Sequence, residues 1–364
     1  MYFPHSPWTW AFMLITIAQC VILLALEGYV FGEFQASLKL QNLDKVSNGP
    51  GGLDDEHTPT RTIPTYLAIF IFGFLYQVGL VWDSLRLKNT IQVIGICLYN
   101  LGMMVYAAVE MEQVSEAVAV LDSGQAVERH TWARLRPFLV AAPCVIALGT
   151  VLLSIVAWKL YNEFAWTIYK HISADLRLKR RYLVYQIYIA LLKFDFFFFL
   201  GFTVQFLVIV SDTPPAEKYI TIAALPITVL LLILAGFIVR KEWFLAHTAI
   251  ILVYLAAAAY FVFKLVRMWA SSAQGREADY KPARNSLTTF AVLTLMLMLV
   301  TIAVAGVCMG NFGKGLRPHL QRRKVPEAEQ GLTAYGGAGG KWGEGGYYEQ
   351  AHPLGPVVNR MTID

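Results

Sequence analysis

The chain has 364 residues, 57% of them hydrophobic and only 15% charged, with a mean hydropathy of +0.51 and a formal net charge of +5. Ordinary soluble domains carry roughly 25% charged residues. Here the missing charge is replaced by long runs that are apolar on nearly all sides, which excludes the striped helices of a water-soluble fold and indicates lipid. The basic residues sit between and after those runs. They are accounted for by membrane topology, and no basic patch interleaved with aromatics suggests nucleic acid.

A span needs roughly 20 apolar residues to cross about 30 Å of hydrocarbon. In chain order the sequence predicts spans at residues 8–30, 65–82, 91–109, 138–158, 185–210, 220–239, 243–266 and 287–309. The expected fold class is therefore all-α, a polytopic membrane helical bundle of about eight transmembrane helices. Trp8, Trp10 and Phe3 read as interfacial anchors of a first span that is retained. The N-terminus lacks the basic region of a cleavable signal. The stretch 48–52 (Asn-Gly-Pro-Gly-Gly) breaks the first loop. Asp212, Thr213, Pro214 and Pro215 stop the fifth span, and Arg240-Lys241-Glu242 predicts a very tight turn into the seventh. Pro143 and Pro226 are expected as tolerated kinks. The bundle is assigned to residues 1–312. Residues 313–364, rich in Gly and Tyr, read as a disordered tail that cannot bury a core.

Cys20, Cys97, Cys144 and Cys308 all lie in apolar segments, so a disulfide framework or zinc ligation is not expected and they read as packing residues. There is no N-x-[ST] sequon. Eight spans put both termini on one side. Sorting Lys and Arg gives fifteen on that side and twelve on the other, spread there over longer loops. That bias predicts cytosolic termini.

The fifth span holds two opposite charges, Lys193 and Asp195, inside the run Leu-Leu-Lys-Phe-Asp-Phe-Phe-Phe-Phe-Leu. Each costs roughly 2.5–3.5 kcal/mol at a helix centre. Two residues apart, they point about 200° apart and so need partners elsewhere. One reading makes them a polar site inside the bundle, with Glu27 as a third candidate, for an ion, a proton or a lipid headgroup. The other places both near the membrane face, with Lys193 snorkelling and Asp195 paired to a basic loop residue. A second feature is the segment 159–181. Leu160, Phe164, Ile168, Ile172 and Leu176 recur every four residues, and Lys179, Arg180 and Arg181 end it. It reads either as an amphipathic helix lying in the cytosolic interface, with those three residues contacting anionic lipid headgroups, or as an extension of the fourth span.

Gly28/Gly32 and Gly306/Gly310 have GxxxG spacing and are expected to pack helices within the chain. The acidic run Asp54-Asp55-Glu56-His57 reads as a solvated loop rather than a cation site. His247 reads as a helix–helix hydrogen bond. No H-E-x-x-H, G-x-S-x-G or phosphate-loop signature is present, so no catalytic residue, cofactor or metal is expected and the chain reads as a non-enzyme.

The opening Met1-Tyr2-Phe3-Pro4 with Trp8-Thr9-Trp10, then Leu26-Glu27-Gly28-Tyr29-Val30-Phe31-Gly32, resembles an uncharacterised fungal family described as Golgi apparatus membrane proteins. Leu192-Lys193-Phe194-Asp195 with residues 197–201, and the exit Asn311-Phe312-Gly313-x-Gly315-Leu316, are similar too. The resemblance covers about residues 1–325. It implies a multi-pass protein of the Golgi or a nearby endomembrane and carries over no activity, ligand or catalytic residue. Two functions stay open: transport or lipid handling through polar groups in the bundle, and a scaffold, receptor or trafficking role through cytosolic surfaces. The bilayer is the one partner implied, and the oligomeric state is not legible.

Overall fold

The computed structural model describes residues 6–38, 58–123, 127, 130–171, 176–209, 215–270 and 284–314. Its helices are α1 (Pro7–Ser37), α2 (Thr58–Leu87), α3 (Thr90–Ser123), α4 (Thr131–His171), α5 (Leu176–Ile209), α6 (Pro215–Lys241), α7 (Phe244–Ala270) and α8 (Arg284–Gly310). Each of the eight is long and apolar enough to cross a bilayer, as the hydropathy pattern requires. Extended pairing among the described residues is confined to a bridge between Leu38 and Val127. The expected breaker at 48–52, the acidic run 54–57, the stop at 212–214 and the tail from 315 lie outside the described residues.

Local sequence sets the helix ends. Ser6 caps α1: its Oγ accepts from the Trp8 amide at 3.3 Å, and its own amide donates to Thr9 Oγ1 at 3.2 Å, with Pro7 in the first helical position. Two tight turns join α2 to α3 and α6 to α7. Lys88 and Glu242 take the left-handed conformation there, at φ 48° and 54°. In both turns the next amide reaches back to the last helical turn, Asn89 to the Ser84 carbonyl and Trp243 to the Ile238 carbonyl. The Asn89 side chain then caps α3 through the Ile91 amide at 3.2 Å.

The helices form two rings of four. In the first, α1 packs on α2 and α4, and α3 packs on α2 and α4; in the second, α5 packs on α6 and α8, and α7 packs on α6 and α8. The rings meet where α5 contacts α2 and α3 and where α8 contacts α3. One large buried cluster runs through both rings. A smaller one, around Phe34, Leu67, Val114 and Leu135, closes the first ring at the face opposite the N-terminus. Trp8, Trp10, Trp82 and Trp243 are exposed near helix ends on the N-terminal face, and Trp158 is exposed thirteen residues before the end of α4, where an aromatic belt belongs.

Close helix approach is made by glycines other than the GxxxG pairs. A Cβ on Gly28, Gly32, Gly306 or Gly310 would meet nothing within 4 Å, so these four face outward and pack no neighbour within the described chain. This corrects the expected role: the spacing gives a small-residue stripe, but the stripe lies on the outer face. The tight contacts fall at Gly149, against the Gln19 amide, at Gly73, against Met103 and Phe197, at Gly95, where a Cβ would lie 2.5 Å from the Phe194 ring, and at Gly201, 2.5 Å from Phe290.

The segment 159–181 is also not one helix. Its first part continues α4, with Leu160 and Phe164 buried in the main cluster and Glu163 accepting from Ser6 Oγ at 2.6 Å. Lys179, Arg180 and Arg181 belong to the first turns of α5. Leu160 and Phe164, the members of the repeat whose side chains are described, are buried beside the start of α1, an alternative the repeat alone could not separate from lipid contact.

Candidate functional site

α5 is the seam between the rings, and its two charges face opposite sides of it. Lys193 Nζ pairs with Asp83 of α2 and donates to Gln92 Oε1 of α3 at 2.9 Å. Gln92 in turn donates to Asp83 Oδ2 at 3.1 Å, and Tyr76 hydroxyl donates to the Lys193 carbonyl at 2.7 Å. Asp83 lies four residues before the end of α2, and the Lys193 and Asp83 side chains are 26% and 34% exposed. This is an ion-pair clamp between the rings, with the Lys193 backbone about 3 Å nearer the N-terminal face than that of Asp195.

Asp195 is fully buried. Its Oδ2 accepts from Thr301 Oγ1 of α8 at 2.9 Å and from the Tyr254 hydroxyl of α7 at 3.3 Å. Thr301 also lies 3.0 Å from the Leu297 carbonyl, and its one proton serves only one of the two acceptors at a time. Asp195 Oδ1 has no partner among the described residues. The partners found are hydroxyls, so the expected pairing with a basic loop residue is not what the structure contains. Tyr254 sits ten residues beyond the start of α7. At 1.5 Å per residue that is about 15 Å along the helix, close to the middle of a 30 Å slab.

The same wedge holds two more unpartnered atoms. Tyr188, two turns earlier on the Asp195 face, is fully buried, and its hydroxyl has no partner among the described residues. Its ring makes a T-shaped contact with His247 at 5.4 Å. His247 bonds through Nε2 to the Ala305 carbonyl at 3.1 Å, as the helix–helix reading expects, so Nε2 carries the proton and Nδ1 is left unpartnered. Asp195, Tyr188 and His247 thus mark a polar line from mid-depth toward the N-terminal face.

Glu27 lies in the first ring, apart from the other two candidates. It is 1% exposed, and its Oε2 has no partner among the described residues. Glu110 of α3, equally buried with a free Oε1, is near enough to feel its charge. Gln113 Oε1, one turn on, is unpartnered too. Beside them Ser286 Oγ donates to Gln205 Oε1 at 3.1 Å, and Gln205 Nε2 donates to the Tyr106 hydroxyl at 3.3 Å, again linking the rings. An amide clamp holds α1, α3 and α4: Gln19 Nε2 donates to Asn100 Oδ1, and Asn100 Nδ2 donates to Thr150 Oγ1, both at 2.9 Å. Lys264, within the expected seventh span, lies inside α7 with Nζ 3.9 Å from the Phe206 ring centre.

Among the described residues no three His, Cys, Asp or Glu side chains gather as metal ligands. Lys179, Arg180 and Arg181 lie far along α5 from Asp195, at the N-terminal face; Arg181 Nη1 donates to the Lys314 carbonyl at 2.5 Å.

Eight apolar helices enclosing a small set of buried polar groups define a multi-pass helical membrane protein. The chain is 32% identical over 329 residues to a UPF0658 Golgi apparatus membrane protein of Schizosaccharomyces pombe, an alignment covering 85% of this chain and 88% of that one. It belongs to that family of Golgi apparatus membrane proteins, the family its N-terminal and fifth-span motifs resemble. No family model and no solved structure matches the chain.

Proposed function

We propose that the chain is a non-enzymatic membrane protein of the Golgi that binds and passes a proton or a small cation through its interior, with Asp195 as the binding carboxyl. One observation carries the reading: Asp195 Oδ1 is enclosed at mid-depth without a hydrogen-bond donor among the described residues. A buried carboxyl lacking a cationic partner is expensive in a membrane and adds little to packing. A proton or cation on the free oxygen removes that cost. Tyr188 and His247 give it a route toward the N-terminal face. Two rings meeting along α5 supply bodies that can rock about the site to expose it to each side in turn. In this reading both termini face the cytosol, because the basic residues are concentrated in the short connections on their side.

A scaffold or trafficking role is the competing reading. It is favoured by the thirteen residues of α4 beyond Trp158, which project past the aromatic belt. The test is solvent access at position 195. A single cysteine is placed there, with Cys20, Cys97, Cys144 and Cys308 replaced, and labelled in intact Golgi-type vesicles with a membrane-impermeant thiol reagent from each side. Labelling from the luminal side, or from both, is expected. No labelling from either side, together with normal folding and localisation of Asp195→Asn, would sink the reading.

A further inference from the structure

The first turns of α5 and the last turn of α8 leave an open groove of about 450 Å³, lined by Arg177, Arg180, Arg181, Val184, Val307 and Asn311. Three of its six lining residues are arginines, and none is acidic. Arg177 and Arg180 are exposed and Arg181 partly so. Arg181 is fixed by its bond to the Lys314 carbonyl. The groove opens at the level where both helices leave the bilayer, and Val307 continues from it onto the outer, exposed side of α8. A soluble phosphate would use the arginines alone. Arginines above an apolar track that runs into the membrane fit a charged headgroup with an acyl chain beneath it.

We propose that this groove binds an anionic phospholipid, its phosphate held by the guanidinium groups and one acyl chain lying along Val184 and Val307. Guanidinium presents paired N–H donors that match phosphate oxygens, and the site lies where membrane phosphates are. The inference is independent of any role for Asp195.

The test titrates the purified full chain, in neutral detergent, with phosphatidic acid and with phosphatidylcholine, and counts retained lipid by native mass spectrometry. Phosphatidic acid should be strongly preferred. Arg177→Gln/Arg180→Gln/Arg181→Gln should weaken its retention by about a hundredfold, each basic residue being worth about a factor of five near an anionic surface. Val307→Trp, which fills the track without changing charge and is isolated even if the triple variant does not fold, should weaken it as well. Two controls can overturn the proposal. If Lys159→Gln/Arg240→Gln/Lys241→Gln, three exposed cations of the same face outside the groove, weakens retention equally, the preference is diffuse surface charge. If inorganic phosphate displaces the lipid at comparable concentration, the arginines serve a soluble anion. Unchanged retention in Val307→Trp would also reject the site.

Discussion

Lys193 and Asp195 stand two residues apart on α5, yet each faces a different ring. Lys193 is tied to Asp83 and Gln92, while Asp195 receives hydroxyls from α7 and α8. The first pair is partly exposed, so its stabilisation is that of a screened ion pair, about 1 kcal/mol. Lys193→Gln and Asp83→Asn should each lower stability by about that amount, and the double variant by little more than either alone. Denaturation of the purified variants in detergent checks this, and strictly additive losses would mean that the clamp contributes nothing. The charges on α5 were legible because they interrupt an apolar run. Asp83, the counterpart of Lys193, and Glu110, the neighbour of Glu27, were not. Each falls one residue past the expected end of a span, at 82 and at 109, where a hydropathy window assigns a charge to the loop. The helices run on to Leu87 and Ser123, and Glu110 and Gln113 turn inward. Side-chain direction, not composition, decides their place.

At the scale of the helices, packing hinges on a few glycines whose neighbours are held rings. Phe290 is fixed by edge contact with Tyr106 at 4.8 Å and lies against Phe197 and Phe198. Phe194 stacks on Tyr99. Neither ring can swing away cheaply, so Gly95→Ala and Gly201→Ala should each cost roughly 1–3 kcal/mol through overpacking. Gly28→Ala and Gly306→Ala meet open space and should leave stability unchanged or raise it by up to about 1 kcal/mol, as expected for a helix-interior glycine. Thermal unfolding in detergent separates the two classes. Loss of stability at Gly28 with none at Gly201 would contradict the arrangement. The number and type of helices were legible from hydrophobic length. Which glycines carry the packing was not, because GxxxG spacing reports a shared helix face without saying whether that face points inward. The split of 159–181 between α4 and α5 was hidden for a similar reason: a fourfold apolar repeat fits a membrane surface and a protein neighbour equally well.

For the whole molecule, the proposed orientation can be argued from the connections. Since every helix reverses direction, three of the seven links fall on the N-terminal face together with the start of α1 and the end of α8, and four fall on the opposite face. The tight turns at Lys88 and Glu242 lie on the face of the N-terminus, with Arg86, Arg240 and Lys241 beside them. Lys179, Arg180 and Arg181 open α5 on the same face. Basic residues count most when they lie in short connections close to helix ends, because long loops are translocated largely regardless of charge. These turns are the shortest in the chain, so their charge should dominate over the twelve basic residues of the opposite face. The sequence has no sequon of its own, which permits a clean test by single substitutions. Pro50→Thr creates an acceptor at Asn48 in the first loop, and Gly331→Asn creates one in the tail ahead of Leu332-Thr333. With cytosolic termini, only the first variant should acquire an endoglycosidase-sensitive glycan when expressed in yeast. A glycan on the second variant alone would reverse the orientation and turn the Arg177–Arg180–Arg181 groove toward the lumen. Glycans on both would break the even count of crossings and with it the pairing of α1–α4 against α5–α8.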